Sequence, residues 1–134
     1  MGNRAIITDI EKKIGVYLHW NGGRDSVEAF LKYCELKGFR GFNDEYGKAR
    51  FCQIVGNFFG GGLSLGITTS VNGCEDNGVY IVDGWEIVGR EDFKGEEKCE
   101  YNLQEMLIEI DKRQPRNEQL GEYTILLMLE DNDD

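Results

Sequence analysis

The amino-acid sequence predicts an α+β domain, a mainly antiparallel sheet of about five strands packed with three helices. Three observations lead there. Strand-like and helix-like segments follow the order β-β-α-α-β-β-β-α, without the strict alternation that a doubly wound parallel sheet needs. Two helical segments carry apolar stripes at i, i+3, i+4 and i+7 and end at glycines. Asp83-Gly84 lies between two strand-like runs, a two-residue hairpin signal.

Arg4–Asp9 and Gly15–Trp20 read as the first two strands, joined through residues 10–14. In the second, Val16, Leu18 and Trp20 alternate with Tyr17 and His19, so both faces carry large side chains. The first helix is expected over Ser26–Lys37. Its stripe is Val27, Phe30, Leu31 and Cys34, with Asp25 as N-cap, Glu28 completing a capping box and Gly38 as the stop. The second is expected over Tyr46–Phe59, ended by Gly60-Gly61-Gly62. Gly56 inside it costs about 1 kcal/mol against alanine, which points to close packing or an earlier end. Short strands follow at Leu63–Thr69, Gly78–Val82 and Trp85–Arg90. The third helix is expected over Asn102–Lys112, with Leu103, Met106, Leu107 and Ile110 as its stripe, before Pro115. Residues 1–116 make up the predicted domain. Residues 117–134 form a C-terminal extension in which Glu122–Glu130 suits a strand or a helix and the acidic end is expected to be disordered.

The 134 residues carry 25 acidic and 15 basic side chains, a net charge of −10. That balance excludes a general nucleic-acid binder, which needs cations to displace counterions from phosphates. It suits a basic protein partner, or mimicry of nucleic acid in a basic groove, as well as simple solubility. No signal peptide or membrane-length apolar run is present, and position 6 is Ile6 where a myristoylation motif wants Ser or Thr. A soluble, cytoplasmic protein is expected, without membrane contact. The four cysteines form no C-x-x-C pair. No zinc site is therefore expected, and Cys34 and Cys52 read as buried thiols. Cys74 and Cys99 fall in polar loops where a disulfide between them is compatible with the sequence but unfavoured in a reducing compartment. No metal and no cofactor is expected: Glu75-Asp76-Asn77 and Asp131-Asn132-Asp133 lack EF-hand spacing.

The candidate site is the turn Trp20-Asn21-Gly22-Gly23-Arg24-Asp25-Ser26. Paired glycines between a strand and a helix can adopt positive φ and aim N–H groups at an anion, with the helix N-terminus behind them. Arg24 adds a planar donor fork, and Trp20 or His19 offers a stacking face. The same letters also make an ordinary turn and cap. Arg50 and Asn57, seven residues apart on the second helix, are candidates for lining a polar site or for plain surface. His19, the single histidine, has no serine or cysteine partner discernible in the sequence, so no catalytic residue is assigned.

Asn21-Gly22-Gly23-Arg24-Asp25-Ser26 resembles the Ser-Gly-Gly-x-Asp-Ser loop of the ATP pyrophosphatase superfamily, with Asn21 in place of the first serine. That likeness implies a grip on ATP pyrophosphate during adenylate transfer, carried by Gly22, Gly23, Asp25 and Ser26. A wider resemblance runs through Gly2-Asn3-Arg4-Ala5-Ile6-Ile7, the whole of Gly15–Leu31, and Asn57-Phe58-Phe59-Gly60-Gly61. These stretches are similar to a family of small proteins encoded by phages and prophages of Gram-positive bacteria. It implies an accessory protein acting inside an infected cell by binding. The expected partner is a host or defence protein with a basic surface, for example a CRISPR effector. A protein that sequesters a nucleotide through the 20–26 turn is the alternative, an adenylating enzyme the third. A homodimer is compatible with all of them.

Overall fold

A computed structural model describes residues 2–72, 76–97 and 99–131. Strand β1 (Ala5–Asp9) and strand β2 (Gly15–Leu18) form an antiparallel hairpin, in which Thr8 Oγ1 donates to the Ile14 carbonyl at 2.7 Å. Helix α1 (Arg24–Leu36) and helix α2 (Glu45–Phe59) follow, then β3 (Leu65–Thr68), β4 (Val79–Asp83), β5 (Glu86–Glu91), helix α3 (Leu103–Lys112) and helix α4 (Glu122–Asp131).

The α+β class is observed, with two differences from expectation. The sheet order is β3-β2-β1-β4-β5, and β1 pairs with β4 in parallel while the other three pairings are antiparallel. The sheet is therefore mixed. Parallel neighbours need a long crossover rather than a hairpin, and here it contains β2, α1, α2 and β3. Secondly, the described residues hold four α-helices rather than three, because residues 122–131 resolve the strand-or-helix ambiguity as α4. Ile125 of α4 is fully buried in the same core as α1 and the sheet.

Alternation along β1, β2 and β4 sends Ala5, Ile7, Val16, Leu18, Tyr80 and Val82 into that core. The helical stripe Val27, Phe30, Leu31 and Cys34 meets them, each at most 1% exposed. Phe30 packs edge-on against Phe51 and Phe58, and Phe42 against Phe51. Cys34 is buried, as its position on an apolar face predicts, whereas Cys52 is only half-buried; burial raises both thiol pKa values. Cys99 is exposed, and Cys74 lies outside the described residues, as do Glu75 and residues 132–134.

Helix ends follow local chemistry. Asp44 caps α2 by accepting from Tyr46 N and Gly47 N, and Gly60 closes it in the left-handed region at φ 78°. Gly56 is not the tight contact in α2, since a Cβ there would sit 3.8 Å from Leu65. The tight glycine is Gly47, where a Cβ would collide with the Gly41 carbonyl.

Two polar hubs tie elements together. Asp111, 3% exposed, accepts from Tyr33 Oη at 2.5 Å, Leu120 N at 2.7 Å and Gly121 N at 2.9 Å, which fixes the start of α4 against α1 and α3. Lys48 on α2 donates to Asp9 at the end of β1 at 2.6 Å and to the Phe42 carbonyl at 2.9 Å. Burial raises the Asp9 pKa. The Lys48 ammonium and the N–H groups of Glu11 and Lys12 outweigh that and lower it overall. None of the described helices is long and apolar enough to cross a membrane.

Candidate functional site

The 20–26 turn leaves β2 and enters α1, as its sequence implies, but its internal geometry differs from an anion nest. Neither Gly22 nor Gly23 has a positive φ; the left-handed residue is Asn21, at φ 56°. Gly22 is a glycine because of space. A Cβ there would sit 2.5 Å from the Asn3 carbonyl oxygen and 2.8 Å from Ala5 Cβ. Its own polar groups are engaged: the N–H donates to Asn3 O at 2.8 Å, and the carbonyl accepts from Tyr80 Oη at 2.7 Å. Gly23, at φ −67°, occupies the N-cap position without a side-chain cap.

Asp25 is therefore not the N-cap. It lies inside the first turn, where its Oδ1 accepts from Ser26 N at 2.7 Å. Its Oδ2 reaches across the chain to accept from Glu100 N at 2.6 Å and Tyr101 N at 2.8 Å. Ser26 is buried, with Asn21 Nδ2 3.3 Å from its Oγ. Arg24 does not offer a free fork, because its Nε donates to Glu28 at 2.6 Å, and this pairing raises its pKa. The Arg24 N–H points at Glu97 Oε1 at 3.3 Å. A carboxylate of the chain itself thus stands where a phosphate would meet the helix N-terminus.

Glu97 is held in turn. Its Oε2 accepts from Arg90 Nη1 at 2.7 Å, and the Arg90 guanidinium lies between the Tyr80 and Phe93 rings at 4.1 and 3.9 Å. Arg90 Nε donates to Asn77 O at 2.9 Å, while Nη2 is buried without a partner among the described residues. Together with Asp25, these bonds hold Phe93, Glu97, Glu100 and Tyr101 beside the turn.

Between them lies a cavity of about 660 Å³. One wall is Trp20, Asn21, Gly23 and Asp25; the second is Gly2, Asn3, Asp76 and Asn77; the third is Phe93, Gly95, Glu96, Glu100 and Tyr101. Trp20 is 45% and Tyr101 48% exposed, and His19 packs edge-on against Trp20 at 5.2 Å. His19 Nδ1 is 2.9 Å from Tyr17 Oη. None of the described lining residues is Lys or Arg, whereas four are carboxylates. Asp25 is saturated by three N–H donors, and Asp76 is paired with Arg4 at 3.0 Å, which lowers its pKa. The Glu96 and Glu100 carboxylates have no side-chain partner among the described residues.

Of the candidate residues, Trp20, Asn21, Gly23 and Asp25 line this cavity; Gly22 and Ser26 do not. Arg24 instead lines a separate depression with Glu28, Lys32 and Trp85. Arg50 and Asn57 are not brought to the turn. Arg50 donates to the Tyr46 carbonyl and lies 5.5 Å from the Tyr46 ring, while Asn57 is bound to Gln114 at 2.8 Å. The third wall was missed in the sequence, where Cys99 alone of that segment was placed, in a polar loop. Among the described residues, no cluster of histidine, cysteine and carboxylate is placed to hold a metal ion.

Strand β2, which leads into the turn, pairs antiparallel with both β1 and β3. Comparison with protein-family models, curated proteins and solved structures gives no match.

Proposed function

We propose that this is a small acidic binding protein that works without catalysis, by accepting a cationic group of a basic partner into the cavity beside the 20–26 turn. In the setting implied by the resemblance to phage proteins, the partner is a host or anti-phage defence protein, and the outcome is inhibition. The observation that carries this reading is the cavity lining: exposed aromatic faces of Trp20 and Tyr101 beside the carboxylates of Glu96 and Glu100, which have no side-chain partner among the described residues, with no described cationic residue in the lining. Aromatic faces and carboxylates both attract ammonium and guanidinium groups and repel phosphates. The net charge of −10 steers the whole molecule toward basic surfaces at a rate that salt would slow. The same lining weighs against a nucleotide ligand, whose phosphates would meet carboxylates on every wall.

The test is NMR titration of the full chain with short arginine- and lysine-containing peptides, and separately with ATP and cyclic nucleotides. Cationic peptides are expected to shift Trp20 and Tyr101 resonances, and Glu96→Gln with Glu100→Gln is expected to weaken that response. Shifts produced by nucleotides and not by cations would refute the reading. Capture from infected-cell lysate then identifies the partner, with the same double variant as the control.

A further inference from the structure

Two arginines flank the cavity, and each is held by an aromatic ring and a carboxylate. On one side, the Arg90 guanidinium lies over the Tyr80 and Phe93 rings at 4.1 and 3.9 Å, and its Nη1 donates to Glu97 at 2.7 Å. Its Nε donates to the Asn77 carbonyl at 2.9 Å. Phe93 and Asn77 belong both to this cage and to the cavity lining. On the other side, Arg113 lies 4.4 Å from the centre of the Phe58 ring and donates through Nε to Glu109 at 3.1 Å. It lines a depression that shares Asn21 and Tyr101 with the cavity. Lysines of this chain are held differently. Lys12 and Lys32 pair with the carboxylates of Glu91 and Glu35, and Lys48, bonded to Asp9, stays 5.2 Å from the Phe42 ring.

The cavity offers the groups that hold Arg90 and Arg113: exposed rings of Trp20 and Tyr101, and the Glu96 and Glu100 carboxylates. We infer that the cation it takes is the guanidinium of an arginine on the partner's surface, in preference to a lysine ammonium. This rests on the reading of the cavity as a cation site and narrows it. A guanidinium is planar and weakly hydrated, so its face stacks on a ring while its N–H edge reaches a carboxylate. An ammonium is compact and strongly hydrated, and must shed water before it touches a ring. Only the planar cation uses ring and carboxylate together at little cost, as Arg90 does. The fitting partner is therefore a surface that presents arginine side chains, rather than one that is basic through lysine.

The experiment is NMR titration of the full chain with two matched blocked tripeptides, Gly-Arg-Gly and Gly-Lys-Gly. Each carries one positive charge, so steering by the net charge of −10 cancels in the ratio of their Kd values. The arginine peptide is expected to bind roughly tenfold more tightly, the scale of one partly desolvated cation–ring contact. Trp20→Leu and Tyr101→Leu replace exposed rings and keep the Tyr101 N–H that Asp25 accepts. Together they should bring arginine binding down to the lysine level. The wild-type ratio is decisive without either variant. Equal Kd values overturn the inference and leave the cavity a general cation site. A preference for arginine that survives the loss of both rings overturns it as well, since selection then arises elsewhere. Failure of both peptides to bind refutes the cation reading itself, and the inference falls with it.

Discussion

Substituting Asp25 by alanine removes the side chain that holds the third wall of the cavity in place. The carboxylate accepts from Glu100 N at 2.6 Å and Tyr101 N at 2.8 Å, and both loop residues are exposed. A hydrogen bond to a charged group contributes about 1.5–3 kcal/mol where it is well shielded from water. Solvent screening at this position brings each down to about 1 kcal/mol. The pair then contributes ~2 kcal/mol, which converts to roughly a 30-fold change in the equilibrium between closed and open loop. Amide hydrogen exchange reads that equilibrium directly. Asp25→Ala should lower protection at Glu100 and Tyr101 by roughly 30-fold, with a small change in Tm, because the core beneath is untouched. Asp25→Asn keeps a neutral acceptor and should fall between the two. Unchanged protection at both amides in Asp25→Ala would refute the argument that this one carboxylate closes the wall. Protection lost equally throughout α1 would refute it differently, by showing that Asp25 acts as a general helix-stabilising residue.

Three further outcomes follow from the packing. Gly22→Ala should cost about 1–3 kcal/mol by overpacking against the Asn3 backbone and Ala5, read as a Tm lower by roughly 4–11 °C. A wild-type Tm would show that β1 can yield there. Asp111→Ala strands the Tyr33 hydroxyl and two backbone donors and should cost about 3–5 kcal/mol in urea unfolding. Tyr33→Phe alone should cost about 1 kcal/mol, and the double variant less than the sum; strict additivity would contradict a shared hub. Lys48→Met should cost about 3 kcal/mol at neutral pH, since it leaves a shielded carboxylate without its cation. The pH sign follows from the lowered Asp9 pKa: the stability it contributes is complete above the ordinary aspartate value near ~4 and is lost as the pH falls through its lower folded value. Removing Lys48 should therefore move acid unfolding to higher pH, and an identical acid midpoint would count against the pair.

Local chemistry made much of the fold legible. The Val27, Phe30, Leu31 and Cys34 stripe faces the core as its spacing requires, and helix α3 starts and ends within a residue of its predicted bounds. What stayed hidden depends on partners distant in the chain. Nothing local tells Ile6 and Ile7 to lie beside Val79 and Tyr80 in parallel, because either neighbour of a strand satisfies its N–H and C=O groups. Asp25 reads as a cap since it is the right residue type just before an apolar stripe. Gly23 takes the cap position, and the carboxylate finds better donors 75 and 76 residues away. The glycine pair suggested left-handed backbone, but Gly22 is there for the closeness of β1, a constraint no single-residue preference encodes. The cavity was half visible for the same reason: Trp20, Asn21, Gly23 and Asp25 were in view, whereas Phe93, Glu96, Glu100 and Tyr101 join them through the Arg90–Glu97 and Asp25 bonds.

The parallel pairing of β1 with β4 also sets an order of events during synthesis. Strand β1 occupies the centre of the sheet, yet one of its two neighbours consists of residues 79–83, made after both long helices. Until those residues leave the ribosome, the emerging chain holds Ala5–Asp9 with one side unpaired and Ile7 without its final cover. Contacts that span so much chain close slowly, because the loop entropy is lost before the strand contacts form. The interval before residues 79–83 arrive is thus the one in which the nascent protein is most open to mispairing. A faster tempo of translation across α1, α2 and β3 would shorten it.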